Sequence, residues 1–319
     1  MADIQLVAYE PALKDQWDAL IHRARNGTFL LTRPFMDYHA DRFHDCSLLF
    51  TKKGKAIAAF AANHDAPTHT VYAHQGLTYG GLILAPEAYV DDVLAMQRML
   101  EAHLRQQLQA TTLIVKPVPA IYHTLPTEEP LYALFRSGAQ LIGRSLSAAL
   151  PLEAPPPMTT LRKRAVAKAQ RAGIRIRKHT DSQEIPSFHA LLTACLAERH
   201  DTKPVHTAAQ MQLLMQRFPS NIALITAHHP DAPEPIAGMW LFRCRHLIHT
   251  QYLATNALGR QLGALDLLIH QLISQHNKGI LDFGVSTLDG GLVLNSGLAH
   301  QKEGFGGRGI CYDTYKINL

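Results

Sequence analysis

A glycine-bearing stretch near the end of the chain has residues that could bind a phosphate-bearing carrier. Gly259 and Gly263 precede a run of leucine and isoleucine, from Leu265 to Ile273, whose spacing suits one face of a helix. Asp266 falls in the first turn of that predicted helix, where the helix dipole favours a carboxylate. Because backbone N–H groups at a helix N-terminus bind phosphate, this turn is a candidate site for coenzyme A. The alternative is an ordinary junction between a loop and a helix.

Two residues on predicted strands near this turn could take part in proton transfer. His249 lies on the predicted strand 246–253, where it could act as a base or contact an acceptor. A structural histidine with satisfied hydrogen bonds is an equally good interpretation. Asp282 belongs to the short predicted strand 280–284, and catalytic groups in α/β folds often gather at strand ends. An aspartate before Phe-Gly can also bond only to loop backbone, so both interpretations stay open.

Two polar loops, 74–79 and 198–206, have side chains that could bind sugar hydroxyl groups, and both also suit plain turns. The candidate substrate-binding residues in them are His74, Gln75, Tyr79, Arg199, His200, Lys203 and His206. A further candidate, Arg164, lies on the basic predicted helix 161–172. That helix is either a solvated face or an electropositive wall for a phosphate-bearing substrate, since arginine makes bidentate phosphate contacts.

Length and composition set the general class of protein. The 319 residues suffice for two compact domains, and 47% hydrophobic against 18% charged residues allows a substantial core. The net charge of +5 is a mild excess. It suits an anionic ligand but does not indicate DNA binding.

The cysteines and the apolar segments exclude several classes. The four cysteines are scattered without a CxxC pair, so neither a zinc ribbon nor a disulfide framework is expected. No cluster of His, Cys and Asp has metal-ligand spacing, and we expect no metal. The first residues lack the pattern of a signal peptide, and no run of about 18 apolar residues predicts a membrane span. We therefore expect a soluble cytoplasmic protein.

The order of predicted elements is that of an α/β protein. Strands come first, then a glycine-rich loop, a helix over 86–109 and a strand over 111–116. Four prolines in the seven residues from Pro151 to Pro157 exclude a regular helix or sheet there. We interpret this segment as the domain boundary. After it, helices, antiparallel strands, a glycine turn, a helix and a strand follow in an order like that of the first half.

At this point the chain resembles a known family. Five consecutive residues are similar to the donor-binding loop of GNAT acyltransferases: Arg260, Gln261, Leu262, Gly263 and Ala264. The segments 281–284 and 302–306 resemble the DFG and K-x-x-F-G ending of the FemAB-like branch. The resemblance continues upstream through 26–29, 74–81 and 203–206, and is greatest to the FemAB-like proteins encoded beside bacterial surface-polysaccharide genes.

The resemblance implies a fold and a role for one lysine. The fold is two tandem GNAT-like domains, each a mixed, mostly antiparallel sheet flanked by helices. Their predicted bounds are residues 1–150 and 159–319, with a proline-rich linker at 151–158. By resemblance, Lys302 matches a lysine that faces the reacting centre, where its charge could stabilise an oxyanion or a donor phosphate. A solvated surface lysine is the alternative.

Three hypotheses for function follow from these observations. The first is an N-acyltransferase that moves an acyl group from acetyl-CoA or another acyl-CoA to an amine. The resemblance implies an amino sugar of a surface polysaccharide or cell-envelope precursor, linked to a lipid or nucleotide, as acceptor. The second uses aminoacyl-tRNA as donor, as the peptidoglycan-modifying branch of FemAB-like proteins does. The third is a non-catalytic binding protein that keeps the fold alone.

Overall fold

The computed structural model describes residues 4–200 and 202–319, with Arg199 and His200 described through their backbone alone. The chain forms two compact units, each assembled from separate segments. The first unit comprises Met1–Leu146, Thr287–Val293 and Cys311–Leu319, and the second comprises Ser147–Ser286 and Leu294–Ile310. The end of the chain, predicted as part of the second domain, therefore belongs to the first unit.

The strands are numbered in chain order. They are β1 (Ile4–Ala8), β2 (Leu48–Lys52), β3 (Lys55–Ala61), β4 (Asn63–Asp65), β5 (Thr70–Tyr72), β6 (Gly81–Leu84), β7 (Thr112–Val115), β8 (Gln140–Pro151), β9 (Arg175–His179), β10 (Ile222–His228), β11 (Ala237–Cys244), β12 (Leu247–Thr255), β13 (Ile280–Val285), β14 (Thr287–Leu288), β15 (Val293–Leu294) and β16 (Arg308–Asn318).

The helices are numbered in the same way. They are α1 (Lys14–Arg23), α2 (Arg33–Met36), α3 (Val90–Gln107), α4 (Glu129–Arg136), α5 (Thr160–Arg171), α6 (Ile185–His200), α7 (Ala208–Arg217), α8 (Ala257–Leu262), α9 (Ala264–Ser274) and α10 (Ser296–Gly304). Short 3-10 turns lie at Pro11–Leu13, Phe29–Leu31, Asp37–Arg42, Ala66–Thr68, Ala120–Tyr122 and Asp289–Gly291.

The first unit is built on two groups of strands. One is an antiparallel sheet in the order β1-β2-β3-β6, and the other has β4, β5, β7 and β16 as successive neighbours. Helix α3 covers the core with Val93, Met96, Leu100 and Leu104, whose three- and four-residue spacing gives one apolar face. Strand β16 pairs antiparallel with β7, with Tyr315 opposite a residue of β7. This pairing explains why the last residues belong to the first unit.

The second unit has the strand order β8-β13-β12-β11-β10-β9. All neighbouring pairs whose register is described are antiparallel except β12 and β13, which are parallel. Helix α9 buries Leu265, Leu268, Ile269 and Leu272 in the core, together with residues of α5 such as Val166. The apolar residues whose spacing predicted α9 therefore form the face of that helix that packs in the core.

The proline-rich segment predicted as a linker begins inside the second unit. Pro151 is the last residue of β8 and lies opposite Ile280 in β13. The next residue, Leu152, is buried, and its N–H donates to the carbonyl of Gly279 at 2.9 Å. Proline is tolerated here because it ends the strand and a backbone donor is not required of it.

The predicted fold class is confirmed: the structure is mixed α/β, with mostly antiparallel strands and flanking helices. Local sequence signals set several helix ends. Gly173 has a φ of 69° just after α5, and Thr207 caps α7 by accepting from the N–H of Gln210 at 3.2 Å. In the part of the chain that the structure describes, no helix is long and apolar enough to cross a membrane.

Candidate active site

The second unit has a fork at which two parallel strands separate. The register of β12 and β13 covers three pairs and ends where His249 lies opposite Asp282. Beyond this point, β12 is irregular against β11 near Trp240, and β13 changes its register against β8. The side chains of His249 and Asp282 therefore meet at the base of the fork.

A buried carboxylate organises this place. The Oδ2 atom of Asp282 lies 2.8 Å from Nδ1 of His249, and its Oδ1 accepts from Ser147 Oγ at 2.7 Å and from the N–H of Gly284 at 3.0 Å. Asp282 is completely buried. Because an ionised carboxylate only accepts hydrogen bonds, it places a proton on Nδ1 and leaves Nε2 of a neutral imidazole as the basic atom. Such a histidine can take a proton from an attacking amine.

Lys302 lies on α10 and reaches the end of β13. Only 3% of its surface is exposed, and its Nζ donates to the carbonyls of Gly284 and Val285 at 2.7 and 2.8 Å and to Ser286 Oγ at 2.8 Å. Burial lowers the pKa of Lys302 to about 8, against the opposing influence of the negative charge of Asp282. An ammonium has three hydrogens, so these three acceptors use all of them. The alternative of a solvated surface lysine does not describe this environment.

The predicted donor-binding turn is the junction of two helices. The residue Gly263 follows α8 in the left-handed region, with a φ of 77°, and α9 begins at the next residue. A Cβ at Gly263 would lie 2.6 Å from the carbonyl oxygen of Ala165 in α5. In addition, Asp266 in the first turn of α9 accepts from Arg162 Nη1 at 2.6 Å. Helix α5 thus packs against the turn between α8 and α9.

The remaining predicted donor-binding residues differ in exposure. Arg260 donates to the carbonyl of Thr255 at 3.1 Å and forms an ion pair with Glu198 at 2.7 Å. Gln261 is exposed, Leu262 is half-buried and Ala264 is completely buried. Gln261 is therefore the most exposed member of this group, and the role of the group in donor binding stays a prediction.

Among the predicted substrate-binding residues of the second unit, His206 contacts strand β12. It is buried, and its Nδ1 lies 2.8 Å from the hydroxyl of Tyr252, three residues beyond His249 on β12. Lys203 and Arg164 are exposed. The side chains of the two other candidates, at positions 199 and 200, lie outside the described residues.

Three predicted substrate-binding residues belong to the first unit. His74 is buried with a φ of 65°, and burial, with the neighbouring His39, lowers the pKa of His74 to about 4. Gln75 forms two hydrogen bonds of 2.8 Å with Asn63, and Tyr79 donates to Thr28 Oγ1 at 3.2 Å. These contacts stabilise the loop after β5.

Two residues at the fork have no counterpart among the sequence-based candidates. Ser147 donates to Asp282 across 135 positions of sequence, and Ser286 accepts from Lys302. A serine inside an otherwise unremarkable strand gives no local signal for such a role. Among the described residues, no group of three or more His, Cys, Asp or Glu side chains could hold a metal ion.

Comparisons with known proteins concern the fold of this chain. Residues 159–289 match the family model described as the acetyltransferase (GNAT) domain. The crystal structure of FemX superimposes with a TM-score of 0.69 at 10% identity, covering 99% of this chain and 97% of that one. L-PGS from Bacillus licheniformis gives 0.64 at 11% identity, with 97% and 92% covered. A tandem GNAT protein from the clavulanic acid biosynthesis pathway gives 0.51 at 13%, with 98% of each chain covered.

These likenesses define the fold of the chain. All three identities are low, so they concern the fold and not the substrate. No curated protein matches the sequence. The chain has the GNAT acyltransferase fold, with solved relatives that carry it in tandem.

Proposed function

We propose that this protein is an N-acyltransferase that moves an acyl group from acyl-CoA to an amine. The observation that carries the proposal is the hydrogen bond between His249 and a fully buried Asp282 at a fork of parallel strands. The match of residues 159–289 to the GNAT domain family supports the acyl-transfer chemistry. Acetyl-CoA is the simplest donor to test.

The fork residues have separate roles in this reaction. His249 takes a proton through Nε2, either from the acceptor ammonium before attack or from the amine nitrogen as it attacks, while Asp282 holds the ring by Nδ1 and stabilises the imidazolium that forms. Ser147 fixes the other carboxylate oxygen. The acceptor nitrogen forms a bond to the donor carbonyl carbon, and the thiolate of coenzyme A leaves and takes a proton.

We assign Lys302 a positioning role. The resemblance to FemAB-like proteins predicts that it faces the reacting centre, but its three hydrogens are donated to Gly284, Val285 and Ser286. Lys302 therefore acts through β13. Its hydrogen bonds fix the backbone of Gly284 and Val285, just beyond the last residue of β13 that pairs with β12. A direct contact with an oxyanion would require one of these bonds to be released.

The acceptor in this proposal is the amine of an amino sugar in a surface-polysaccharide or cell-envelope precursor. This finer choice rests on the resemblance to FemAB-like proteins of polysaccharide gene clusters. The exposed Lys203 and Arg164 could contact the phosphate of a nucleotide- or lipid-linked sugar, and the His206–Tyr252 pair lies further along β12. Gln261 and Arg260 are the candidates for the donor phosphates.

An aminoacyl-tRNA donor is the second candidate. It is favoured by the FemX superposition, whose TM-score of 0.69 exceeds the 0.51 of the tandem GNAT protein, taken with the resemblance of the chain ending to FemAB-like proteins. The cationic side chains of α5 would suit a nucleic-acid backbone. A non-catalytic binding protein is the third candidate.

Donor binding and thiol release separate these candidates. Purified protein should gain thermal stability with coenzyme A or acetyl-CoA, and should release free thiol when an amino-sugar acceptor is present. Indifference to both compounds, with stabilisation by aminoacylated tRNA, would favour the second candidate. Binding of coenzyme A without turnover of any amine would favour the third.

A matched pair of variants tests the base. His249→Gln should keep donor binding and lose transfer, whereas His270→Gln, on the half-buried side of α9, should keep both. Transfer at the wild-type rate by His249→Gln would refute the assignment of the base. Mass spectrometry of the surface glycan from a strain that lacks the gene would identify the acceptor.

A further inference from the structure

The first unit contains a cavity of about 180 Å³ that is lined by its own residues. It lies where β6 and the segment after β7 separate. The N–H of Gly80 donates to the carbonyl of Lys116 at 2.6 Å, and past this contact the walls are formed by Leu82 on one side and Val118 on the other. The opening therefore begins where the backbone pairing of the two segments ends.

Most of the wall is apolar. Phe60 from β3, Leu82 from β6, Val115 from β7 and Leu134 from α4 line it. Protein interiors are close-packed, and voids larger than a water molecule are few. An apolar cavity of about 150 Å³ is known to bind benzene. A cavity of this size and lining can accordingly hold an apolar group of about six to ten non-hydrogen atoms.

The charge in the cavity is set by the titratable residues of its lining, of which His123 is the first. His123 lies with Nε2 2.9 Å from the carbonyl of Val118, so that nitrogen carries the hydrogen. Burial lowers the pKa of His123, so the ring is neutral at pH 7. Its Nδ1 is buried, with no hydrogen-bond partner in the described part of the chain. His123 thus brings an acceptor to the wall and no positive charge.

The carboxylates of the lining leave one net negative charge. Asp313 is neutralised by Arg144, whose guanidinium donates to both carboxylate oxygens at 2.7 and 2.9 Å. Glu128 also lines the cavity and is exposed. A cation at the opening is therefore favoured over an anion.

We propose that the first unit binds a small organic ammonium compound, whose apolar body fills this cavity and whose ammonium group lies against Glu128. The ligand class combines the two properties of the site: apolar walls formed by residues such as Leu82 and Leu134, and the exposed carboxylate of Glu128 at the opening. The proposal does not depend on the reaction proposed for the second unit, because every lining residue belongs to the first.

Calorimetry with three compounds of one shape tests the proposal: phenethylamine, 2-phenylethanol and 3-phenylpropionate. The amine should bind saturably and more tightly than the alcohol, with the carboxylate weakest. Glu128→Gln should reduce the affinity for the amine by up to about fivefold, as expected for an exposed ion pair, and leave the alcohol unchanged. Glu153→Gln, an exposed site in the second unit, is the control.

A variant that fills the cavity supplies an independent test. Ala120 lines the cavity, is exposed and begins a short 3-10 turn, so Ala120→Trp should fold and block binding of all three compounds. Ala66→Trp is matched to it, because Ala66 is also exposed and also begins a 3-10 turn. Absence of saturable amine binding, a preference for the carboxylate, or wild-type binding by Ala120→Trp would each overturn the proposal.

Cys311 reports where the ligand binds. It lines the cavity and is exposed, whereas Cys46 and Cys195 are half-buried and Cys244 is buried. Bound phenethylamine should slow alkylation of Cys311 by iodoacetamide, as followed by peptide mass spectrometry. Binding that leaves the alkylation rate of Cys311 unchanged would place the amine elsewhere and refute the proposal.

Discussion

The Nδ1 atom of His249 lies 2.8 Å from Oδ2 of Asp282, at the last pair of the parallel register between β12 and β13. The aspartate is completely buried and is also held by Ser147 and by the N–H of Gly284. This arrangement fixes the orientation of the imidazole. It also places the basic nitrogen on the opposite side of the ring from the carboxylate.

Replacing this carboxylate tests its role in proton transfer. Asp282→Asn keeps the shape but removes the charge that stabilises an imidazolium, so the rate of acyl transfer should fall by about 100-fold or more. Thiol release under saturating donor measures the effect. Asp289→Asn, at an exposed position, should keep the wild-type rate. A fall of less than about threefold in Asp282→Asn would contradict the role of the pair in general-base catalysis.

Removing the buried ammonium of Lys302 should destabilise the fold. Lys302→Met leaves the carbonyls of Gly284 and Val285 and the hydroxyl of Ser286 without their donor. Unpaired buried polar groups cost about 1–3 kcal/mol each, and local relaxation recovers part of this, so we expect a loss of about 2–4 kcal/mol in the free energy of unfolding. Urea denaturation measures it. The control is Lys203→Met, at an exposed position, which should change stability by less than about 0.5 kcal/mol. Equal losses in Lys302→Met and Lys203→Met would disprove the contribution of the buried contacts.

The same lysine should give stability a defined pH dependence. Its pKa is about 8 in the folded protein, below the ordinary value of 10.5. Below pH 8 both states carry the proton, and the cost of burying the charge is fully present. Between about pH 8 and 10.5 the unfolded chain binds more protons at this group, so the contribution of Lys302 to stability rises with pH.

Wild type and Lys302→Met should therefore be compared across this window. The difference in free energy of unfolding between them should increase from pH 7.5 to pH 10, because only the wild type has the titrating Lys302. The other titrating groups are common to both proteins, and their contributions cancel. Urea denaturation at four or five pH values measures the trend. A difference that is constant with pH would show that the pKa of Lys302 is not lowered by burial.

The turn at Gly263 should be intolerant of a side chain. Gly263→Ala combines a φ of 77° with a Cβ 2.6 Å from the carbonyl oxygen of Ala165, so we expect a loss of about 3 kcal/mol. Gly54 has a φ of 76° with no atom within 4 Å of a Cβ, and Gly54→Ala should cost only about 1 kcal/mol. Thermal and urea unfolding compare the two. Equal losses would show that α5 does not press against this turn.

The sequence predicted much of the local structure because short-range signals act there. The apolar spacing from Leu265 to Leu272 gave the face of α9 that packs in the core. Gly173 and Thr207 marked helix ends through backbone preferences that do not depend on the rest of the fold. The α/β class followed from the order of such elements.

The surroundings of Gly263 and of Lys302 could not be predicted from short-range signals in the sequence. For the candidate phosphate site at Gly263, nothing in the adjacent residues shows that Ala165 of α5 lies against the turn. For Lys302, the resemblance to FemAB-like proteins marked the position, but burial and the choice of acceptors depend on where β13 ends.

Residue types and local spacing therefore determined many of the elements, their class and the candidates His249 and Asp282, and the resemblance to FemAB-like proteins added Lys302. Tertiary structure alone decided that His249 and Asp282 are opposite each other, that Ser147 completes their hydrogen bonds from 135 positions away, and that β16 returns to the first unit. The physical reason is that helix and turn preferences act over a few residues. Strand pairing and burial depend on contacts between segments that are distant in sequence.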